Sequence, residues 1–191
     1  MILALHKPYG VLSQFTQGNS EHKTLREFGL PQWVHPIGRL DWDSEGLLLL
    51  SDEPEWNDYL LHPRHAHERV YHSQVEGIAT EEAMAKLRRG VDLKDGRTRP
   101  CGAQLLPDPG YPERSTPIRF RLSVPTSWIA LTLTEGKNRQ VRRMTAAVGL
   151  PTLRLIRVSI GAYRLGDLPV GRWVELDDEG RRLLMQKRSG S

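Results

Sequence analysis

Residues 38–52 contain the side chains whose types and spacing are best suited to chemistry. Asp41, Asp43 and Glu45 alternate along this stretch, and Arg39 lies two positions before the first of them. Four consecutive leucines follow, which indicates a short, fully buried strand. A carboxylate held at the end of a rigid strand can face a cleft and act as a nucleophile or as a base.

Two other interpretations of residues 38–52 do not require catalysis. Acidic residues at positions 1, 3 and 5 and a glycine at position 6 match the first half of a calcium-binding loop. That match then fails, because position 9 would be Leu49 and position 12 would be Asp52 instead of glutamate. Pro36 also prevents a helix before the loop. The other alternative, an acidic turn that only caps a neighbouring element, stays open for this segment by itself.

A second informative stretch, residues 135–149, is basic. Asn138 can cap a helix whose positions 141, 144, 145 and 148 form one apolar stripe. Arg139, Arg142 and Arg143 then lie on the opposite side of that helix. The N-terminus of such a helix presents free N–H groups that favour phosphate. A solvated arginine face is the alternative for this stretch taken alone.

Histidine and cysteine do not indicate a metal site. Four of the seven histidines lie between positions 62 and 72, but only the pair His65 and His67 suggests zinc, which needs further ligands. We interpret this segment as a polar loop that leads into a strand, and we expect no metal. Cys101 is the only cysteine, which excludes an internal disulfide and a cysteine-based metal site and fits a reducing compartment.

The composition is that of an ordinary globular protein. Charged residues make up 26% and hydrophobic residues 38% of the 191 residues, which fits one domain, or one domain with two lobes. The excess of four basic over acidic residues favours a polyanionic partner only slightly. No apolar run approaches the roughly 18 residues of a membrane-spanning helix, and the first apolar residues are too few for a signal segment. We expect a cytoplasmic protein that acts as a monomer.

Hydrophobic periodicity and capping residues predict both strands and helices. The predicted strands cover residues 2–5, 47–50, 65–75, 103–106, 118–124, 129–133 and 152–161, with short strands within 162–176. The predicted helices follow Thr24, Ser51 or Asp52, Thr80, Asn138, and Asp177 or Asp178. Residues 118–124 and 129–133 should form an antiparallel hairpin. Residues 91–116 are interpreted as a variable insertion, and residues 181–191 as a basic C-terminal tail.

Several stretches together resemble one enzyme family. Gly38-Arg39-Leu40-Asp41, followed by Ser44, Gly46 and the leucines, resembles the signature of the RNA pseudouridine synthases of the RsuA/RluB/RluE/RluF family. Further stretches resemble motifs of that family in the same order: the turn Lys7-Pro8-Tyr9-Gly10, the strand that carries Tyr71, residues 135–144 and the strand of residues 152–161. The sequence departs from the family pattern at two positions, His6 in place of asparagine and Arg69 in place of lysine.

The resemblance implies roles for four side chains. Asp41 takes the position of the family's nucleophile, and Tyr71 takes that of the tyrosine that stacks on the target base. Arg142 aligns with the active-site cation, and Leu155 aligns with the apolar side chain beneath the catalytic centre. Because an opposed guanidinium would keep the Asp41 carboxylate ionised, we expect Arg142 to pair with Asp41.

The same resemblance implies an α+β fold, with a mixed, mostly antiparallel central sheet flanked by helices and loops, two lobes, and an active-site cleft across the sheet. Residues 1–191 would form a single catalytic domain without an N-terminal S4-type RNA-binding domain, because only six residues precede Lys7. Within the family, this arrangement points to large-subunit (23S) ribosomal RNA as substrate and partner. The implied function is isomerisation of a specific uridine to pseudouridine, and we expect no cofactor.

The implied reaction also predicts which residues bind RNA. The target uridine must leave its stack, at a cost of a few kcal/mol that phosphate contacts must offset. The expected phosphate ligands are Arg39, Lys137, Arg139, Arg143, Arg154 and Arg157.

Two functions from other classes stay open at this point. A non-catalytic RNA-binding module would explain the basic stretch, but it would not explain an acidic loop that approaches RNA. A glycoside hydrolase could use Asp41 and Asp43 as its pair of carboxylates, but it would leave the basic helix unexplained.

Overall fold

The chain folds into two compact units. The computed structural model describes residues 1–119 and 121–187. The first unit contains Met1–Arg69 and the described residues from Ile156 onward, and the second contains Val70–Leu155. Both boundaries fall within strands, so that two strands contribute residues to each unit. That residues 1–191 form a single catalytic domain stays a prediction.

Helices and strands are mixed along the chain. The strands of the described residues are β1 (Ile2–Lys7), β2 (His35–Pro36), β3 (Glu45–Ser51), β4 (Arg69–Glu76), β5 (Asp92–Leu93), β6 (Gly96–Arg97), β7 (Gly102–Leu106), β8 (Thr126–Leu133), β9 (Thr152–Ile160), β10 (Tyr163–Arg164) and β11 (Trp173–Glu175). The α-helices are α1 (Glu55–Leu61), α2 (Glu81–Arg89), α3 (Gln140–Ala147) and α4 (Asp178–Met185), and two short 3-10 helices cover Leu25–Phe28 and Pro63–His65. Most strand pairs are antiparallel, which confirms the predicted α+β class. Across residues 1–119 and 121–187, no helix has the length and apolar character needed to cross a membrane.

The first unit is organised around β3. Its strands lie in the order β11, β1, β3 and β9, with β2 beside β3 and β10 beside β9. β1 pairs antiparallel with both of its neighbours, whereas β3 and β9 are parallel, with Glu45 opposite Ile156. All seven residues of β3 are buried, which confirms the strand predicted from the leucine run. A strand with both faces covered needs no polar face, and its leucines therefore do not alternate with polar residues.

The second unit has its own hydrophobic core. Its strands follow the order β9, β4, β8 and β7, and β7 pairs antiparallel with β8. The core joins this sheet to α2 and α3 and includes Val75, Met84, Leu87, Ile129, Leu131, Val141, Met144 and Leu155. Burial of these side chains fixes both helices against the sheet, because removal of apolar surface from water is the main favourable term in folding.

Most predicted helix starts agree with the structure. Thr80 Oγ1 accepts a hydrogen bond from the N–H of Ala83 at 3.2 Å, and Asp177 Oδ1 accepts one from Gly180 at 2.8 Å. These bonds satisfy N–H groups that have no partner within the helix. The cap predicted at Ser51 or Asp52 is wrong, because α1 begins after Pro54 without a side-chain cap.

The predicted hairpin of residues 118–124 and 129–133 is also wrong. Residues 117–119 and 121–124 form no strand, and Leu122 is 93% exposed, while Phe120 lies outside the described residues. β8 instead pairs with β7, in a register that places Ala103 opposite Leu131. β8 begins directly after Pro125, and its partner comes from the 91–116 segment. Alternation identified the strand but could not identify its partner. Residues 188–191 of the predicted basic tail lie outside the described residues as well.

Gly46 permits the close approach of β3 and β9. It has a φ of 104°, and it lies opposite Arg157 in the parallel pair. A Cβ atom at Gly46 would lie 2.3 Å from the carbonyl oxygen of Arg157 and 2.8 Å from its nitrogen. Because both are backbone atoms, neither can rotate away, and the two strands would have to separate.

We therefore predict that Gly46→Ala lowers the free energy of unfolding by at least about 2 kcal/mol, from backbone strain and the clash together. Urea unfolding measures this change. Gly166→Ala is the matched control, because Gly166 also has a positive φ, of 57°, but no atom within 4 Å of its Cβ position. The control should lose only about 1 kcal/mol. Equal losses in the two variants would contradict the close-approach argument.

Candidate active site

Asp41 lies in a tight turn that directly precedes β3. The N–H of Ser44 donates to the carbonyl oxygen of Asp41 at 3.0 Å, which closes the turn. The Ser13 hydroxyl donates to the carbonyl oxygen of Leu40 at 2.7 Å and accepts from the N–H of Leu40 at 3.0 Å. Ser13 is only 3% exposed, so water competes little for these bonds. The backbone is therefore fixed both at Asp41 and at the residue before it.

The turn after β1 supports the Asp41 turn from a second side. The N–H of Gly10 donates to the carbonyl oxygen of Trp42 at 2.7 Å. The Lys7 ammonium donates to the carbonyl oxygens of Pro8 and Val11, each at 2.8 Å, and Lys7 is 0% exposed. The lysine-proline turn, which the family resemblance singled out, thus holds its own loop in shape and ties it to the Asp41 turn.

Lys7 is also a buried amine of this unit. Burial lowers its pKa from 10.5 to about 7, and the carboxylates of Glu45, Asp43 and Asp41 oppose that shift. Arg157 acts in the same direction as burial, because two positive charges disfavour each other. The three carboxylates of the turn therefore act on a positive group that belongs to their own unit. The lysine-proline motif was recognised in the sequence, but the burial of its amine was not predicted.

The two predicted phosphate ligands of this unit differ in exposure. Arg39 is exposed, and its guanidinium donates to Gln14 Oε1 at 3.1 Å. Arg157 is 5% exposed, and its Nε donates to the carbonyl oxygen of Leu47 at 2.8 Å. A buried guanidinium that bonds to a neighbouring strand supports the sheet. Its predicted contact with phosphate stays a prediction that this burial disfavours.

The calcium alternative does not fit the structure. A calcium-binding loop continues beyond its glycine into further ligands and a helix. Here the chain enters β3 at Glu45, and the residues after Gly46 are buried leucines. Within the part of the chain that the structure describes, no three His, Cys, Asp or Glu side chains are grouped as metal ligands would be. The predicted absence of a resident metal stays a prediction.

The second unit groups three of the four family-implied residues around one core. Leu155, on β9, is a buried member of the hydrophobic cluster, and the half-buried ring of Tyr71, on β4, packs against that cluster. Val141 and Met144 anchor α3 in the same cluster, and the half-buried Arg142 lies between them in sequence. The expected pairing of Arg142 with an acidic residue of the first unit stays a prediction.

A chain of hydroxyl groups fixes α3 to the sheet of this unit. Thr145 Oγ1 donates to the carbonyl oxygen of Arg142 at 3.2 Å and lies 2.8 Å from Thr152 Oγ1. Thr152 Oγ1 in turn lies 2.9 Å from the Ser73 hydroxyl of β4. These contacts connect α3, β9 and β4 through buried or half-buried oxygen atoms, so the backbone at Arg142 has a defined position. The predicted inward stripe of this helix included position 145, but the sequence pattern did not indicate that Thr145 contacts Thr152.

The loop before α3 is held by the glutamate and the glutamine of its motif. Glu135 Oε1 accepts from Gln140 Nε2 at 2.8 Å and from the N–H of Arg99 at 2.7 Å. Gln140 Oε1 accepts from the N–H of Lys137 at 3.0 Å. The residue directly before α3 is Arg139, with a φ of 49°, and no side chain caps the helix. The predicted Asn138 cap is therefore wrong, because Gln140 provides the local hydrogen bonds instead.

Arg143 is already part of an ion pair. Its two terminal nitrogens lie 2.7 Å and 3.3 Å from the two carboxylate oxygens of Asp95, and its Nε donates to the carbonyl oxygen of Asn138 at 3.0 Å. The guanidinium lowers the pKa of Asp95. Asp95 lies between β5 and β6, so the hairpin of these two strands brings a carboxylate into contact with Arg143 of α3. Any phosphate that binds Arg143 competes with Asp95.

Arg154 contacts residues 111 and 112, near the end of the 91–116 segment. Its guanidinium donates to the carbonyl oxygen of Pro112 at 2.9 Å and lies 5.9 Å from the ring centre of Tyr111. The Tyr111 hydroxyl lies 2.6 Å from His72 Nδ1, and its ring lies 5.5 Å from that of Trp128. Burial raises the pKa of Tyr111. These contacts give Arg154 a structural part, and its predicted phosphate contact stays a prediction.

Comparison with known proteins agrees with the motifs. Residues 1–147 match the family model described as RNA pseudouridylate synthase. The chain is 54% identical over 170 residues to the ribosomal large subunit pseudouridine synthase E of Xanthomonas axonopodis pv. citri (strain 306), over 88% of this chain and 90% of that protein. It is 48% identical over 175 residues to the protein of the same name from Vibrio vulnificus (strain CMCP6), over 92% of this chain and 74% of that protein.

A solved structure shows the same fold. The crystal structure of a pseudouridylate synthase superposes with a TM-score of 0.79 at 27% sequence identity, over 96% of this chain and 73% of that one. The similarity thus extends beyond the motifs to most of the chain.

The buried amine of Lys7 makes a prediction about stability. The folded chain holds Lys7 with a pKa of about 7, whereas the unfolded chain has the ordinary value near 10.5. Between these pH values the unfolded state binds a proton that the folded state has released, so the contribution of Lys7 to stability rises with pH. We predict that the free energy of unfolding of the wild type, relative to Lys7→Met, increases from pH 7 to pH 9 by up to about 1.4 kcal/mol per pH unit.

Urea unfolding at several pH values measures this difference. Lys86→Met, which changes a lysine on the exposed side of α2, is the control. A wild-type advantage over Lys7→Met that stays constant from pH 7 to pH 9 would show that Lys7 titrates as it does in the unfolded chain.

Proposed function

Because this chain belongs to the RNA pseudouridylate synthase family, we propose that it converts a specific uridine of large-subunit ribosomal RNA into pseudouridine, with Asp41 as the nucleophile. The reaction breaks the bond between N1 of uracil and C1′ of ribose, rotates the base and joins C5 to C1′. No heavy atom is gained or lost: C5 releases its proton to water after the new bond forms, and N1, freed from ribose, takes up a proton from water. The substrate class follows from the relatives named as ribosomal large subunit enzymes of type E.

The observation that carries the assignment of Asp41 is the fixed backbone of its turn. A covalent catalyst works best when its attacking atom is held near the reacting atom before reaction begins. The Ser13 hydroxyl makes two hydrogen bonds to Leu40, and the Asp41 carbonyl accepts the bond that closes the turn. The turn directly precedes the buried strand β3, so the backbone from which the Asp41 side chain extends has a fixed position.

The second unit supplies the other groups of the proposed reaction. Tyr71 stacks on the detached uracil, for which its partly exposed ring on a rigid strand is suited. Arg142 provides the cation that keeps the nucleophile ionised, and Leu155 forms the apolar floor of the site. The defined backbone of α3 supports the role of Arg142, because the hydroxyl chain through Thr145 limits where its side chain can begin.

RNA is bound, in this proposal, by exposed and half-buried cations of both units. Arg39 of the first unit and Lys137 and Arg139 of the second are accessible for phosphate, and Arg143 becomes so when it leaves Asp95. We further propose that the protein acts as a monomer in the cytoplasm, where such a substrate is made.

We predict that Asp41→Asn lowers the rate of isomerisation at least about 1,000-fold, because the variant has no nucleophile. The rate is measured by tritium release from ribosomal RNA labelled at C5 of uridine. Binding of the same RNA should change no more than a few-fold, since only one of many contacts is altered.

Asp43→Asn is the matched control, since it makes the same chemical change in the same turn. It should keep most of the activity. Substantial turnover by Asp41→Asn would refute the assignment of the nucleophile. A wild-type protein that binds this RNA but never modifies it would favour a non-catalytic RNA-binding module instead.

The ion pair of Arg143 and Asp95 makes a second prediction, about RNA binding. Arg143→Gln should weaken RNA binding and reduce the slope of log Kd against log salt concentration by about 1, because one phosphate contact is lost. Asp95→Asn should have the opposite effect on affinity, because the competing carboxylate is removed while the cation stays.

Filter binding at several salt concentrations measures both effects. Arg64→Gln is the control, because Arg64 forms a similar exposed ion pair, with Asp58, at 2.7 Å. Weaker binding by Asp95→Asn would mean that the carboxylate positions Arg143 for RNA and does not compete with it.

A further inference from the structure

Three aromatic side chains form a cluster on the surface of the first unit, and the mechanism above does not use them. The rings of Trp42 and His22 are stacked, with centres 4.4 Å apart and planes 16° apart. Tyr9 lies against the same indole, with ring centres 5.6 Å apart and planes 58° apart. Trp42 is nevertheless 37% exposed. A large aromatic surface thus stays accessible to solvent although two rings already contact it.

The position of Trp42 is fixed with respect to Asp41. Trp42 is the second residue of the turn that the Asp41 carbonyl and the Ser44 N–H close. Its own carbonyl oxygen accepts from Gly10 at 2.7 Å. Successive Cα atoms lie about 3.8 Å apart, so the side chain of Trp42 leaves the backbone close to the proposed nucleophile.

We propose that Trp42 is the stacking surface for an unpaired RNA base that neighbours the target uridine. This inference rests on the proposed function, because it needs a substrate that is RNA. Once the target uridine has left its stack, the adjacent base loses a stacking partner and exposes a flat apolar face. An aromatic side chain can replace the lost partner, as is general in proteins that bind single-stranded nucleic acid.

The charges around Trp42 favour a base over a phosphate. Trp42 lies between Asp41 and Asp43 in sequence, and two carboxylates repel the phosphate backbone. A base presents a neutral ring to an indole, and stacking is not weakened by those charges in the same way. The contacts with His22 and Tyr9 restrict the indole before RNA binds, so that little side-chain entropy is lost on stacking.

The test compares three variants on a ribosomal RNA fragment that the wild-type protein modifies. Trp42→Phe keeps an aromatic ring, Trp42→Leu keeps an apolar side chain without one, and Trp33→Ala removes an exposed tryptophan of the same unit from outside the cluster. We expect Trp42→Leu to lower kcat/KM about tenfold to hundredfold, which is the usual effect of one lost stacking contact. Trp42→Phe should stay within about threefold of the wild type, and Trp33→Ala should match the wild type.

A second measurement identifies the base. Fragments that lack the base at one position on either side of the target uridine are bound to the wild type and to Trp42→Leu. Loss of one neighbouring base should weaken binding of the wild type by a factor of about ten and leave binding of Trp42→Leu unchanged, because the contact is already absent. This coupling would not arise if Trp42 only supported the fold.

Two results would overturn the inference and leave the proposed function intact. One is equal kcat/KM for Trp42→Phe and Trp42→Leu when the wild type is active. The other is equal loss of affinity by the wild type and Trp42→Leu on every fragment that lacks a base. A wild-type protein that forms no pseudouridine in any large-subunit ribosomal RNA fragment would refute the proposed function, and the inference with it.

Discussion

The antiparallel register of β1 and β3 is the constraint on which the candidate site of the first unit depends. Lys7, the last residue of β1, lies opposite Gly46, the second residue of β3. The turn that follows β1 and the turn that precedes β3 therefore leave the sheet at the same edge, where the Ser13 hydroxyl reaches Leu40. A shift of one residue would turn every side chain of β3 to the other face. Such a shift would also move Gly46 away from the Arg157 backbone, where no Cβ atom fits, so the close approach of β3 and β9 holds the acidic turn in position.

The arginine side chains of this protein differ in burial. Buried ones bond to backbone carbonyl oxygens, and exposed or half-buried ones are those proposed to bind RNA. Arg157 and Arg69 are buried and donate to the carbonyl oxygens of Leu47 and Leu60, respectively. Arg154 holds an irregular segment in place through Pro112. A buried guanidinium is costly unless its donors are used, and these contacts use only part of them, since Arg157 Nη2 is buried without a hydrogen-bond partner among the described residues. The total of 27 lysine and arginine residues therefore overstates the number of cations that RNA can contact.

Two residues of the motif in the second unit hold the local backbone in place. Glu135 and Gln140 belong to the stretch that resembles the family, and the polar groups of both side chains form hydrogen bonds that hold the loop before α3. That loop and the hydroxyl chain through Thr145 give the helix a fixed start and a fixed face. Val141 and Met144 pack into the core on one side of the helix, which leaves the other side for Arg142 and Arg143, two of the residues proposed to act on RNA.

The amino-acid sequence was enough to predict the buried strand at Leu47–Leu50, the helix caps at Thr80 and Asp177, the α+β class and the family, because these depend on local pattern or on motifs several residues long. It also selected Asp41. The packing of distant segments was needed to show that β8 pairs with β7, that Ser13 holds Leu40, that the Glu45 carboxylate acts on the buried Lys7 amine, and that Arg143 pairs with Asp95. Each of these joins residues far apart in the chain. Periodicity reports which face of an element is buried, but the partner of a strand or a charge is chosen by which distant surfaces pack best, and a one-dimensional pattern does not contain that choice.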